Sequence, residues 1–402
     1  MTQLQGNPAA GRPLDGIVVA DFSRVLAGPY CTMLLADMGA TVIKVEGPGG
    51  DVTRQWIPPH RDGVSTYFQS VNRNKSSIVL DLKERGDLET AYQIIDRADV
   101  FVENFKPGSL TRFGLDAESV SRRWPGIIHA SITGFGTAGG KSMPGYDLLV
   151  QAMSGAMTLT GEPTGAPQRA GVAMFDVITG LHAAVGILGA LLERGRSRLG
   201  QHLELDLLSS ALSGLVNQTG GYAAAGNVPT RMGNDHPSLF PYGPFRAADR
   251  DIVICCGNDR QFALLMDHLG IAEMAADPRF QTMSRRNENR EQLRELIVGA
   301  LAAATADEWF TALQNAGIPC APILRINEGV QFAQRLGLKP VVDAGSGPDA
   351  IPTIKHPVTY SRTAARYDKA PPALGADQAD VLAWLEQTRP KTEAPAAAAS
   401  RP

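Results

Sequence analysis

The feature that most limits the fold is an alternation of short apolar runs with amphipathic segments across the N-terminal half of the chain. The apolar runs predict strands at Ile17–Asp21, Thr41–Glu46, Ser77–Leu82, Val100–Glu103, Ile127–Thr133 and His202–Asp206. The segments between them predict helices at Ala27–Gly39, Glu89–Ala98, Asp147–Met157 and Val177–Arg194. Strands that alternate with helices at this spacing indicate a mostly parallel sheet with helices on both faces. We therefore predict an α/β fold with a Rossmann-like parallel sheet.

The texture of the chain changes after residue 210, which suggests how it is divided. We predict that the first part of a large Rossmann-like domain spans 14–210 and that a linker rich in Gly, Pro and Asn follows over 211–244. Three helical patterns after a strand at 251–256 predict a smaller α+β domain over 245–325. The last segment, 391–402, is of low complexity and is predicted to be disordered.

Charge, cysteine usage and hydropathy exclude several classes of protein. The 38 basic and 41 acidic residues give a net charge of −3, so the basic footprint of a nucleic-acid-binding protein is absent. The four cysteines form no C-x-x-C pair and the seven histidines no ligand spacing, so we expect neither disulfides nor a metal site. The N-terminus has no signal-peptide pattern, and the apolar stretch Val177–Leu192 is shorter than the about 20 residues of a bilayer span. We expect a cytoplasmic protein that does not enter the membrane.

Three cations follow two neighbouring strands of the predicted sheet. Lys83 comes directly after one strand, and Lys106 and Arg112 follow the next strand along the chain. The carboxyl ends of parallel strands line the ligand crevice of an open α/β sheet, and Lys and Arg pair with phosphate oxygens. The pattern therefore allows a polyphosphate site, although solvated loop cations would look the same.

A G-x-G-x-x-G pattern made of Gly134, Gly136 and Gly139 follows the predicted strand Ile127–Thr133. A dinucleotide fingerprint requires this loop to open a helix directly, whereas here Lys141–Pro144 intervenes. We therefore interpret the segment as a flexible glycine loop that can close over a ligand, not as a nicotinamide site.

Asp176 is the most informative acidic residue, because it directly precedes the apolar helix that begins at Val177. Asp is a favoured helix N-cap, which is one interpretation. The other is a carboxylate nucleophile that the helix N-terminus keeps ionised, with Gly171, Ala173 and Gly180 leaving space for a substrate. The residues alone leave both open.

A series of motifs in a fixed order links this chain to a known family. They are Leu14-Asp15-Gly16, Asp21-Phe22, Ala27-Gly28-Pro29, Leu35–Ala40, Val42–Glu46, Asn72–Ser76, Ile78–Lys83, Val102–Gly108, Gly145-Tyr146-Asp147, Gly161-Glu162-Pro163 and Asp176 with its helix. From about residue 14 to 385 the chain resembles the class III CoA-transferases of the CaiB/BaiF type, which include formyl-CoA transferase. Its texture is most similar to enzymes that move CoA between dicarboxylic acids with succinyl-CoA as donor.

The resemblance implies a fold, an assembly and a mechanism. The large domain is expected to be discontinuous, with residues 326–390 forming a linker and the return of the chain to the large domain. Two chains are expected to form an interlocked homodimer. Asp176 is implied as the nucleophile, passing through an aspartyl anhydride and an aspartyl-CoA thioester. CoA, a substrate and not a permanently bound cofactor, is expected to contact Val25, Leu80, Lys83, Asn104, Phe105, Lys106 and Arg112.

Departures from the resembling subgroups bear on the substrate. Leu26 stands where formyl-CoA transferase carries Gln, and no run of four glycines precedes the small domain, which argues against formyl or oxalyl substrates. Tyr146 stands where the 2-methylacyl-CoA racemases carry a proton-transferring His, which argues against racemisation or epimerisation. A non-catalytic CoA-binding subunit is a further alternative, which the presence of Asp176 disfavours. The candidate partners for a distal substrate carboxylate are Arg54, Arg73, Arg169 and His236.

Overall fold

The structure is a computed structural model, and it describes residues 11–388 and 390–391. Its strands are β1 (Val18–Asp21), β2 (Thr41–Glu46), β3 (His60–Arg61), β4 (Val64–Ser65), β5 (Lys75–Val79), β6 (Val100–Glu103), β7 (Ile128–Thr133), β8 (Gln201–Asp206), β9 (Tyr242–Arg246), β10 (Asp251–Cys255), β11 (Cys320–Pro322), β12 (Val341–Ala344) and β13 (Ile351–Ile354). Of the tail predicted to be disordered, residues 392–402 lie outside the described residues.

The helices fall between these strands in the order that the sequence predicts for an α/β fold. They are α1 (Ala27–Asp37), α2 (Thr66–Ser70), α3 (Arg85–Arg97), α4 (Ala117–Arg123), α5 (Asp147–Met153), α6 (Ala156–Leu159), α7 (Met174–Ser197), α8 (Leu207–Gly214), α9 (Asn217–Ala225), α10 (Asp259–His268), α11 (Met283–Glu288), α12 (Arg290–Leu301), α13 (Ala306–Asn315), α14 (Ile326–Arg335) and α15 (Gln378–Gln387). Helix α9 lies inside the segment predicted as a linker.

Six parallel strands form the main sheet, in the order β5-β2-β1-β6-β7-β8. This confirms the Rossmann-like parallel sheet. Strand β5 begins at Lys75, two residues before the predicted start, because the buried ammonium of Lys75 is paired with Asp21 and so can enter the sheet. A search for apolar runs misses the start of a strand where the first residue is charged.

The two faces of the sheet carry different helices. Side chains of α3, α4 and α15 share one buried cluster with Phe101 of β6. On the other face, α7 packs against β7 and β8 and lies against α1. The register explains the separation: His129 stacks on Phe101, whereas Leu203, opposite the neighbouring Ala130, approaches Gly186 of α7. Successive residues of a strand point to opposite faces, so both layers are buried.

The chain divides into two compact units. The first contains the described residues up to Gly155, the segment Ala170–Asn227 and the residues from Lys339 onward. The return of the last segment is fixed by Arg366, whose guanidinium donates to the carbonyl oxygens of Ala36 and Ala40 at 2.9 and 2.7 Å. Helix α15 completes the core of this unit with Val381 and Trp384.

The second unit contains Ala156–Arg169 and Val228–Leu338. Its three-stranded antiparallel sheet, in the order β11-β10-β9, shares one apolar core with α10, α12 and α13. The segment Ala156–Arg169 belongs to it because Arg231 donates to the carbonyl oxygens of Glu162 and Gly165. The predicted domain limits, 245–325 for the small domain, stay a prediction; no local composition signal marks the excursion at Ala156–Arg169.

Helix α7 is the part of the described chain that best meets the length and composition requirements of a membrane span. It has 24 residues and a mean hydropathy of 1.8 over its most apolar window, and it is longer than the apolar stretch recognised in the sequence. Helices α12 and α13 meet the requirements only together, across a bend of 104°. Core helices of soluble proteins meet the same requirements, so this is weak support for a span.

Candidate active site

Asp176 lies in the first turn of α7, and a second carboxylate caps that turn. The residue that precedes the helix is Ala173, which has no capping side chain. Instead, Oδ1 of Asp147 accepts the backbone N–H groups of Phe175 at 2.7 Å and of Asp176 at 3.2 Å. The N-cap interpretation of Asp176 is therefore wrong: its own carboxylate is not used for capping, because Asp147 satisfies these donors.

The side chain of Asp147 is held from two directions. Gln151, one turn later in α5, donates to Oδ2 of Asp147 at 2.5 Å and accepts the N–H of Ala170 at 2.8 Å. The start of α5 is fixed by a close crossing of two backbones, since a Cβ atom on Gly134 would lie 2.3 Å from the Cα of Gly145. Part of the G-x-G-x-x-G segment is thus packed tightly, in contrast to the flexible loop predicted for it.

The environment of Asp176 makes it a weak acid. Burial, followed by the neighbouring charge of Asp147, raises the pKa of Asp176 from 3.8 to about 7. Tyr67 of α2 senses the same charges: burial and then Asp176 and Asp147 raise the pKa of its hydroxyl to about 12. Two carboxyl groups and a phenol thus share one partly buried space, where an ionised Asp176 is poorly solvated and correspondingly reactive.

Helices α1 and α7 meet one turn after Asp176. A Cβ atom on Gly180 would lie 2.7 Å from the carbonyl oxygen of Ala27, so only glycine permits this approach. Val25 and Leu26, which precede α1, belong to the same apolar cluster as Tyr67, Ala173 and Val177. The β1–α1 loop (residues 22–26) therefore lies beside the candidate nucleophile.

Val25, predicted to contact CoA, has an unusual backbone. Its φ of 70° is in the left-handed region, where a β-branched residue is strained by about 1–3 kcal/mol. Its N–H points at Asp51, whose two oxygens lie 3.3 and 3.2 Å away. Strain of this kind persists only where the surroundings enforce it.

A buried ionic network under the β1–α1 loop enforces it. Lys44 donates to the carbonyl of Ser23 at 2.9 Å and to Asp51 at 3.1 Å. Lys75 donates to Asp21 at 3.0 Å, and burial lowers the pKa of Lys75 to about 8 although Asp21 opposes the shift. Neither lysine was recognised in the sequence as part of a loop support, because a lysine in a strand carries no signal of its partner.

Leu80, Lys83 and Phe105, all predicted to contact CoA, line one cavity of about 330 Å³. This strand-end cavity lies at the carboxyl ends of β5, β2, β1 and β6, and it also contains Arg24, whose guanidinium lies 4.8 Å from the centre of the Phe105 ring. Arg24 was missed in the sequence, since its position in the loop gave no spacing pattern. A flat aromatic wall with two cations suits an aromatic base that carries phosphates.

The other predicted CoA contacts have different surroundings. Asn104 accepts the N–H of Arg24 at 2.9 Å and donates to its carbonyl at 2.7 Å, so its amide braces the β1–α1 loop. Arg112 is exposed, with its guanidinium 4.5 Å from the ring of Phe113, which lines the strand-end cavity. Lys106 is exposed and lines a second cavity.

That second cavity, of about 460 Å³, has a polar floor made by Glu103, His129, Ser131 and His202. Both imidazoles contact Ser131, with Nε2 to Oγ distances of 3.2 Å for His129 and 3.0 Å for His202. Burial lowers the pKa of both histidines, that of His129 to about 3, and raises the pKa of Glu103. The floor is therefore uncharged at its histidines, and it lies on the face of the sheet opposite α7.

Two of the four candidates for a distal substrate carboxylate are already paired. Arg54 donates to Glu46 at 2.6 Å, and Arg73 donates to Asp37 at 2.6 Å with both side chains buried. These two predictions are wrong, because neither guanidinium is free for a substrate. Arg169 is exposed and His236 accepts two backbone N–H groups, and both lie in the second unit.

Comparison with known proteins decides the family. The sequence model of CoA-transferase family III matches residues 14–378. The chain belongs to this family. Its CoA-transferase relatives include the succinate–glutarate CoA-transferase of Agrobacterium fabrum, which is 41% identical over 386 residues that cover 93% of this chain and 96% of the relative.

Two further CoA-transferase family III comparisons agree. The acetyl-CoA:oxalate CoA-transferase of Acetobacter aceti is 39% identical over 336 residues, covering 83% of this chain and 86% of the relative. The crystal structure of a CAIB/BAIF family protein from Brucella suis has a TM-score of 0.86 and 39% identity, covering 93% of this chain and 99% of that one. The resemblance recognised in the sequence is confirmed, and the chain is an acyl-CoA:carboxylate CoA-transferase.

Proposed function

We propose that this family III CoA-transferase moves CoA from succinyl-CoA to a small dicarboxylic acid, with Asp176 as the nucleophile. The observation that carries the proposal is a carboxylate in the first turn of α7 whose pKa is raised to about 7 and which caps nothing itself. The relative named for succinate–glutarate transfer supports a dicarboxylate as one substrate. The relative named for acetyl-CoA:oxalate transfer is also named for a dicarboxylate, so oxalate stays in the acceptor panel although Leu26 and the absent glycine run argue against it.

The first half of the reaction loads CoA onto the enzyme. An oxygen of ionised Asp176 attacks the thioester carbonyl of the donor, the C–S bond breaks, and CoA leaves as a thiolate. The product is a mixed anhydride between Asp176 and the donor acid. The thiolate then attacks the aspartyl carbonyl, which releases the donor carboxylate and leaves an aspartyl-CoA thioester.

The second half runs the same steps in reverse with the acceptor. The acceptor carboxylate attacks the aspartyl thioester and again expels CoA thiolate. The thiolate then attacks the acyl carbonyl of the acceptor in the new anhydride, which forms the acceptor thioester and restores the carboxylate of Asp176. Protons are neither consumed nor released, and one thioester is exchanged for another.

Each attack on a carbonyl carbon develops negative charge on its oxygen. No side-chain hydrogen bond caps α1 and its first turn has no acidic residue, so in the described part of the chain the N–H groups of Ala27 and Gly28 remain free. These groups follow Leu26, which belongs to the apolar cluster beside Asp176. We assign them the stabilisation of the oxyanion, since aligned donors at a helix start favour negative charge.

We propose that CoA lies along the carboxyl ends of β5 and β6, where the strand-end cavity would hold its adenine and the phosphates would face cations. In this arrangement Leu80 and Phe105 form the walls and Lys83, Lys106 and Arg112 pair with phosphates. Val25 and Asn104 define the β1–α1 loop along which the pantetheine chain would run toward Asp176.

We also propose a homodimer, interlocked as the family resemblance implies. Large apolar side chains on the helices around Asp176 are exposed in the single chain: Leu148 and Met153 on α5, Leu181, Val185 and Leu192 on α7, Leu212 on α8 and Tyr222 on α9. Exposed apolar patches of this extent mark interaction sites. A second copy that covered them would also shield Asp176 from water. We further propose that the enzyme is cytoplasmic.

The racemase and subunit alternatives are not favoured. Racemisation at an α-carbon requires one base on each face of the substrate. Tyr146, which is 63% exposed, is a phenol and does not supply the second of these bases. A non-catalytic subunit would have no need for a nucleophile with a tuned pKa. Solvent deuterium entering the α-carbon of a 2-methylacyl-CoA, without transfer to free acids, would revive the racemase.

The proposal is tested by mass spectrometry of the reaction mixture. Succinyl-CoA is incubated with the purified enzyme and a panel of C2–C6 carboxylic acids, and every new acyl-CoA is recorded. We expect new thioesters of dicarboxylic acids. We expect Asp176→Ala to abolish them while CoA binding persists and the thermal unfolding midpoint does not fall. Transfer at the wild-type rate by Asp176→Ala would refute the mechanism, and transfer to monocarboxylic acids alone would refute the substrate class.

A further inference from the structure

The β1–α1 loop is held almost entirely by side chains from outside it. The N–H and carbonyl of Arg24 are both bonded to Asn104, and the carbonyl of Ser23 accepts from Lys44. The next N–H, that of Val25, is directed at Asp51. Val25 is the residue with φ of 70°, so the last of these contacts acts on the strained position itself.

We propose that Asp51, held by Lys44, is a positioning residue that keeps Val25 in its strained conformation and thereby places the β1–α1 loop against Asp176. The inference rests on the proposed function and goes beyond it, because Asp51 touches neither CoA nor the reacting atoms in that mechanism. It acts through Val25, which packs in the apolar cluster with Tyr67 and Val177.

Asp51 is built for such a task. It is fully buried, and it accepts the N–H and the hydroxyl of Thr53 at 3.0 and 2.8 Å besides its contact with Lys44. Burial alone would raise the pKa of Asp51, but Lys44 and the Thr53 donors outweigh it and lower the pKa. The carboxylate therefore stays ionised, and it links the N–H of Val25 in the loop to Lys44 of β2, while its bonds from Thr53 hold it in the turn that follows β2.

The charged groups around Asp51 come from several elements. Lys44 on β2 pairs with it, Glu46 at the end of β2 accepts its backbone N–H at 2.9 Å, and Arg54 pairs with Glu46. From α2, the hydroxyl of Tyr67 is influenced by the charge of Asp51. The arrangement joins the loop, the end of β2 and a wall of the active site in one rigid group.

Both oxygens of Asp51 accept hydrogen bonds, from Val25, Lys44 and Thr53, so in Asp51→Asn the amide NH2 group must face one of these donors and the charge that pairs with Lys44 is lost. Val25 is then free to relax to a negative φ and carry the loop away from Asp176. The strained left-handed conformation of Val25 is then populated only in a small fraction of the molecules. Turnover falls to that fraction. We expect Asp51→Asn to lower kcat by about 10- to 100-fold. Glycine adopts a positive φ readily, so in the Val25→Gly background the same substitution is expected to cost less than about fivefold.

The matched control is Asp37→Asn, which breaks another buried ion pair, with Arg73, away from the loop. Both substitutions are expected to lower the thermal unfolding midpoint, but Asp37→Asn should leave kcat of the folded enzyme within about twofold of wild type, because the pair makes no contact with the loop. Only a positioning role predicts both the difference in kcat and its loss in the Val25→Gly background.

The experiment is a double-mutant cycle on kcat, with succinyl-CoA and the best acceptor of the panel. The positioning role would be overturned if Asp51→Asn and Asp37→Asn lowered kcat equally. It would also be overturned if the loss of kcat in Asp51→Asn were just as large in the Val25→Gly background. In both cases wild-type turnover would still support the transferase. Absence of wild-type transfer would instead refute the proposed function. If Asp51→Asn does not fold, Thr53→Val removes one donor of Asp51, and an unchanged kcat in that variant would overturn the proposal.

Discussion

The carboxylate of Asp147 accepts the backbone N–H of Asp176 at 3.2 Å, so two acidic residues meet at the start of one helix. The capping contact fixes the backbone of the proposed nucleophile and places a like charge beside it. The same residue thus orients Asp176 and contributes to the raised pKa that makes it a reactive carboxylate. This relationship leads directly to a prediction about pH.

We expect kcat/KM to depend on an acid group that titrates near pH 7. Asp176 must be ionised to attack, so activity should rise with pH up to about 7 and level off above it. In Asp147→Asn the amide oxygen can still accept the N–H groups of α7, but the like charge is gone. The midpoint should then fall by roughly 0.5–1 pH unit, since burial, the larger cause, remains. A wild-type midpoint near 4 would contradict the raised pKa.

Stability should depend on pH in the opposite direction to activity. The pKa of Asp176 is raised on folding from 3.8 to about 7, so its contribution favours the folded state at low pH and is lost as pH rises through this range. Asp176→Ala removes the penalty of the buried charge, which is at most about 4 kcal/mol. Thermal unfolding should show a larger stabilisation by Asp176→Ala at pH 8 than at pH 5. An equal effect at both pH values would argue against an ionised, buried carboxylate.

The contact between α1 and α7 should tolerate no side chain at Gly180. In Gly180→Ala the Cβ atom would lie 2.7 Å from the carbonyl oxygen of Ala27, so α1 must move and the loop before it shifts. We expect a loss of stability of about 1–3 kcal/mol and a lower kcat. Gly299→Ala is the control, because a Cβ atom there meets nothing within 4 Å and should stabilise α12 by about 1 kcal/mol. Denaturant unfolding distinguishes the two.

Cations at the strand ends should determine the affinity for the CoA phosphates. We expect Lys83→Ala and Arg112→Ala each to raise KM for the acyl-CoA by about tenfold while leaving kcat nearly unchanged, since a charge-assisted contact to phosphate is lost. The effect should shrink at high salt. Arg122→Ala removes another exposed cation, one that pairs with Glu118 on α4, and it should leave KM unchanged. Equal KM values in all three variants would show that the CoA phosphates do not bind at these strand ends.

The exposed apolar face of α7 should disappear in the assembled enzyme. Val185 is 68% exposed in the single chain, and Val185→Asp would place a charge in the proposed interface between two copies. We expect light scattering to show a dimer for wild type and a monomer of low activity for this variant. Ile326→Asp, at a position that is 89% exposed on α14, is the control and should remain dimeric. A monomeric, fully active wild type would contradict the proposed assembly.

Much of the architecture could be predicted because apolar periodicity is a local property. The strands of the parallel sheet and the helix that carries Asp176 follow from short windows of sequence, and the order of motifs identified the family. The ends were less accurate where a polar residue is buried by pairing, as with Lys75 at the start of β5. The antiparallel sheet of the second unit was only partly recognised, since Cys320–Pro322 is too short to carry a pattern.

The candidate site shows the same limit more clearly. Asp176 could be selected from its place before an apolar helix, but whether it caps the helix depends on Asp147, which is 29 residues away. Arg54 and Arg73 look like free cations in the sequence, and only the fold reveals Glu46 and Asp37 beside them. Pairings between distant residues are set by topology, and no local pattern encodes them.

The crossing of Gly134 and Gly145 has a consequence that reaches the chemistry. These glycines let the backbone after β7 touch the turn before α5. Asp147, the first residue of α5, lies two residues after Gly145. A single methyl group on either glycine would push α5 outward and carry the capping carboxylate with it. The acid strength of the proposed nucleophile is therefore set in part by how closely two backbones can pass. A change of volume at a site without any charge would change the pH at which the enzyme works.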